Sequence, residues 1–193
     1  KIRDDMRFDR MALSMIRAYL FGTGPGTIVP GGMHAFLKTR PELAVPDIEF
    51  MFRGVPLDVG LWFPGIKKIY DDGFGIRPAL LHPESRGEVT LRSANPTDPV
   101  RIFYDFFSAA SDVATLREGF KRARHVTYQN AMDPYRGDEV APGTDVKTDG
   151  DIDEWLRNNV VTVEHPTCTC PMGSGPEAVV DPEMKVRGGE HLR

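Results

Sequence analysis

The residues best equipped for chemistry stand near the end of the chain, in His165-Pro166-Thr167-Cys168-Thr169-Cys170-Pro171-Met172-Gly173. An imidazole at the head of a Pro- and Gly-broken loop sits where a cleft can use it, which suits a proton acceptor. Taken alone, such a histidine serves equally well as a surface or hydrogen-bonded residue. Cys168 and Cys170 lie one residue apart, too close for an unstrained disulfide, and with His165 they supply fewer ligands than a closed metal site needs. The expectation is two reduced, buried thiols and no metal.

The elements that position this loop follow from periodicity. Val160-Val161-Thr162-Val163 has the β-branched character of a strand leading to His165. Before it, Asp149 or Asp151 is placed to cap a short helix carrying Ile152, Trp155 and Leu156. A longer helix is expected from a cap at Ser111 or Asp112 to about Tyr128. Val113, Leu116, Phe120 and Ala123 form its inner stripe, and Arg117, Lys121, Arg122 and Arg124 a solvated face. An amphipathic helix opens the chain and ends at the Gly22-Thr23-Gly24-Pro25-Gly26-Thr27 turn, which lacks a Walker lysine and a preceding strand and so is a loop.

Strands fall between the helices. Gly31 to Thr39 includes one, with His34 as a polar residue on a face. Pro46-Asp47-Ile48-Glu49-Phe50-Met51-Phe52 alternates, putting Ile48, Phe50 and Phe52 on one side and Glu49 and Met51 on the other. Ala79-Leu80-Leu81, then 88–93, then Val100-Arg101-Ile102-Phe103-Tyr104, separated by turns, predict an antiparallel meander. Trp62 and Phe63 fall in an irregular stretch, where aromatics usually pin a loop to the body. The fold class is α+β, with an antiparallel sheet backed by helices.

The chain has 193 residues and a net charge of −4 with scattered cations, which leaves no footprint for nucleic acid. No apolar run is long enough to span a bilayer. With Lys1 first and no signal-type segment, the expectation is a cytoplasmic protein or a fragment.

The His165 string resembles the His-Pro-x-Gly-Thr-Cys-x-Met-Gly signature of the glucose–methanol–choline (GMC) family of FAD-dependent oxidoreductases. The run from Ala178 to Gly188, with Leu192-Arg193, resembles that family's next block. Two motifs in series are far more specific than one. The Gly-Pro turn near Gly24, the Pro46-Asp47-Ile48 strand and the Pro83-Glu84-Ser85-Arg86-Gly87 turn extend the resemblance. It implies that His165 is the catalytic base facing the flavin, that Pro166, Thr169 and Cys170 adjoin the cofactor, and that Met51 looks into the substrate cavity. Cys168 departs from the pattern, standing where the family carries a Gly that would permit positive φ.

The resemblance further implies a substrate-binding domain over 1–162 and, over 163–193, a segment returning to an FAD-binding domain. The Gly-x-Gly-x-x-Gly unit that would hold the FAD pyrophosphate does not occur in the sequence. The chain is therefore expected to be part of a longer protein whose remainder supplies the FAD domain and, beyond Arg193, a second catalytic His or Asn. The implied reaction is oxidation of a small-molecule alcohol to an aldehyde or ketone, with a hydride passing to the flavin. Two alternatives stand beside it: a non-redox relative of the hydroxynitrile lyases, and an interaction module inert by itself.

Overall fold

Along β2 (Ile48–Arg53) the side chains alternate between buried and partly exposed, as the pattern predicts. Ile48 and Phe50 face the core, while Glu49 and Met51 face outward. The computed structural model describes residues 2–27, 32–56, 59–165 and 167–189. β2 is the centre of a three-stranded antiparallel sheet, between β1 (His34–Leu37) and β3 (Gly75–Leu80). The register pairs His34 with Met51 on one side, and Met51 with Arg77 on the other.

Two helices cover the inner face. α3 (Ala110–Thr127) lies across β2 and β3, and α4 (Asp149–Asn159) packs on α3. Ile48, Phe50, Phe107, Val113, Leu116, Phe120, Ile152 and Leu156 form one continuous core. Gly119 lets α3 approach closely, since a Cβ there would stand 3.0 Å from Ile48 Cδ1. Full burial of a side chain such as Ile48 contributes about 2–3 kcal/mol.

The expected meander divides. β4 (Glu88–Thr90) and β5 (Arg101–Phe103) form their own two-stranded sheet, and β3 pairs with β2 instead of β4. The buried carboxylate of Asp112 gives the reason. It accepts the N–H groups of Glu84 and Ser85, at 2.9 Å each, and so turns the chain away from β3. Asp112 thus does not cap its own helix. The N-cap of α3 is Ala109, whose N–H is taken by Ser85 Oγ at 3.1 Å. Burial pushes the Asp112 carboxyl up, but hydrogen bonds from the Ser85 side chain and the two backbone amides outweigh it and hold it below the ordinary carboxylate value.

α4 is capped by Thr148, one residue before Asp149 and three before Asp151, the expected caps. Asp151 serves as its N3 partner in a reciprocal capping box. The basic residues of α3 are ties more than a solvated face. Arg122 donates to the carbonyls of Lys38 and Thr39, and Arg124 bonds Val146 O and Glu139 while stacking on Phe120.

The opening helix is two: α1 (Ile2–Asp5) and α2 (Phe8–Phe21), broken at Arg7, which grips Asp9 through two nitrogens. Gly22 closes α2 in the left-handed conformation, its N–H bonded to Ala18 O. The irregular stretch is pinned as expected, with Trp62 Nε1 donating to Arg3 O at 2.8 Å. No residue of α2 is buried, and Leu13, Ile16, Tyr19, Leu20 and Phe21 are exposed. On the small sheet, Val89, Ile102 and Phe103 are exposed as well. No helix among the described residues is long and apolar enough to cross a membrane.

Candidate active-site loop and sheet face

α4 ends at Val160, whose extended backbone releases the chain toward the histidine. The expected strand at 160–163 is absent. These residues pair with no other strand among the described residues, and Val161 and Val163 are exposed. β-branched side chains favour extended backbone, but a strand also needs a partner edge, and none adjoins them. Glu164 takes a left-handed φ of 64°, with its N–H donated to Thr162 Oγ1 at 2.9 Å, and so reverses the chain just before His165.

His165, Thr169 and Cys170 share this short loop and are exposed; Pro166 lies outside the described residues. Cys168 and Cys170 are free and exposed, where burial was expected. The reason is that no element packs over 164–165 and 167–170 among the described residues, so these positions turn their side chains outward. Cys168 has φ 67°. The left-handed backbone that a glycine would adopt without penalty is therefore present, carried by a residue for which it costs about 1–2 kcal/mol.

Downstream the chain clips itself together. Met172 bridges to Val180, and Val180 to Val186. Arg187 reaches back to Gly173 O at 2.8 Å, and the Asp181 carboxylate accepts the N–H groups of Glu183 and Lys185. The loop is thus anchored by α4 on one side and a self-bonded turn on the other.

Met51 sits elsewhere, on the outer face of β2, and no hydrogen bond among the described residues ties its strand to the loop. The sheet places His34, Phe36, Glu49, Met51, Arg53 and Arg77 on that outer face. His34 Nδ1 and Glu49 Oε1 stand 2.6 Å apart. The two arginines and this pair went unnoticed in the sequence. The alternation of β2 assigns Glu49 to the face of Met51, but only the register brings in His34 and Arg77.

An antiparallel α+β unit of this form is found in solved oxidase structures. A formate oxidase of Aspergillus oryzae RIB40 superposes with a TM-score of 0.78 at 22% identity, over 95% of this chain and 36% of that one. Pyridoxine 4-oxidase from "Mesorbium loti" superposes with a TM-score of 0.68 at 21% identity, over 82% of this chain and 31% of that one. Both likenesses speak for the fold.

The family profile described as GMC oxidoreductase matches residues 83–193, and the chain belongs to that family. Its similarity to named relatives points the same way. It is 36% identical over 172 residues to an oxygen-dependent choline dehydrogenase of Pseudomonas fluorescens, covering 89% of this chain and 30% of that protein. With the Brucella ovis protein of the same name it shares 39% identity over 176 residues, covering 90% of this chain and 31% of that protein. The chain thus spans about three-tenths of the length of these relatives.

FAD is the cofactor of the family. The loop's donor set, an imidazole, hydroxyls and the exposed backbone around a left-handed residue, fits the ring end of a flavin. The pyrophosphate end finds no Gly-x-Gly-x-x-Gly unit in this sequence.

Proposed function

We propose that this chain is the substrate-side portion of an FAD-dependent alcohol oxidoreductase, and that His165 is its base. Residues 1–162 form the substrate-binding part, and 163–193 lead back into the FAD-binding part contributed by the rest of the polypeptide. The observation that carries the reading is His165 on an exposed loop, immediately after the reversal at Glu164 and three residues before the left-handed Cys168, within the segment matched to the family. FAD, when bound, supplies the hydride acceptor.

The chain's own part is proton handling and placement. A neutral imidazole nitrogen of His165 takes the hydroxyl proton of the alcohol, which makes the adjoining carbon a strong hydride donor. Thr169 and Cys170, with Pro166, border the ring end of the cofactor. Met51 and its sheet face bound the substrate. The exposed apolar sides of α2 and of the β4–β5 sheet are surface for the remainder of the polypeptide to cover, and the 193 residues by themselves are catalytically inert.

His165→Ala in the whole flavoprotein is expected to leave FAD bound while slowing flavin reduction by alcohol about 10²-fold or more. Anaerobic stopped-flow absorbance measures this. Equal reduction rates in the variant and the parent would remove His165 from its role.

A further inference from the structure

The outer face of the three-stranded sheet carries a charge pattern for which proton transfer has no use. Arg77 stands directly opposite Met51 in the register, and Arg53, two residues further along β2, is its diagonal neighbour on the same face. Such neighbours lie about 7–8 Å apart, where like charges repel. Both arginines are exposed, and among the described residues neither guanidinium has a hydrogen bond or an ion pair.

Glu49 is the sole carboxylate in β1, β2 and β3, and His34 already holds it at 2.6 Å. The face is therefore net positive whether or not His34 carries a proton. Two unneutralised guanidinium forks with a thioether beside them match a carboxylate, which accepts paired N–H bonds, and would repel a quaternary ammonium group.

We propose that Arg53 and Arg77, with Met51 beside both, form the subsite for a carboxylate on the substrate, so that the alcohol oxidised is a hydroxy acid. This rests on the reading above that the outer face of β2 bounds the substrate cavity. It also separates this protein's substrate from the choline of its similarly built relatives.

The test uses the complete FAD-loaded protein and anaerobic flavin reduction by 4-hydroxybutyrate, 1-butanol and choline at one ionic strength. The hydroxy acid is expected to give the highest kcat/KM, and butyrate to inhibit competitively. Arg77→Gln and Arg53→Gln should each lower the ratio of kcat/KM for 4-hydroxybutyrate over 1-butanol about ten- to hundredfold, the loss of a charge-assisted pair. They should also weaken butyrate inhibition, with flavin content and circular dichroism reporting that the variants fold.

Arg77→Lys, which keeps the charge without the fork, should restore part of the ratio. Reduction that depends on His165 but favours choline, or wild-type protein blind to butyrate, overturns the subsite and leaves the base in place. Reduction by none of the three alcohols overturns both.

Discussion

Asp112 offers the sharpest test of how the fold positions its turns. Its two oxygens hold the N–H groups of Glu84 and Ser85, and Asp112→Ala removes both amide bonds while the N-cap of α3 stays at Ala109. A hydrogen bond to a charged group is worth about 1.5–3 kcal/mol. Glu84 is exposed, so its freed amide regains water and the lower part of the range applies to it. The expected loss is about 3–4.5 kcal/mol in the whole polypeptide, read from the shift in denaturation midpoint at unchanged slope.

The pH dependence carries the sign. The folded carboxyl lies below its ordinary value of 3.8, so its contribution is complete above that value and lost as the pH falls through the folded one. The gap between the parent and Asp112→Asn should therefore be constant near neutrality and narrow under acid conditions. A cost below about 1 kcal/mol for Asp112→Ala, or a gap that persists well below the ordinary carboxylate range, would refute the clamp.

Two further outcomes follow from backbone geometry. Cys168→Gly relieves a left-handed residue worth about 1–2 kcal/mol and gives back about 0.4–1 kcal/mol through the freer unfolded chain, so a thermal shift should show a small net gain. A loss above about 1 kcal/mol would contradict that reading. Gly32→Ala should be severe, because a Cβ there would lie 1.2 Å from Phe52 O; the backbone must move, at a cost of about 1–3 kcal/mol or more, which chemical denaturation measures.

Much of the fold was legible because it rests on local periodicity. The alternation at 48–52 assigned both faces of β2, and the stripe Val113, Leu116, Phe120, Ala123 became the buried side of α3. What escaped depends on partners far along the chain. Asp112 looked like a cap because an aspartate at a helix start usually is one, yet its acceptors are used by a turn 27 and 28 residues away. The valines before His165 have strand propensity but join no edge among the described residues. Of the candidate site, the loop was evident from residue types. The arginine pair was not, since Arg53 and Arg77 become neighbours only through the register between β2 and β3.

That register has an evolutionary consequence. On β2 the residues at 48 and 50 hold the interior together, while those at 49, 51 and 53 lie on the opposite face, so the two sets mutate almost independently. A lineage on this scaffold can thus remodel the outer face of the sheet in single steps, each leaving a protein that still folds.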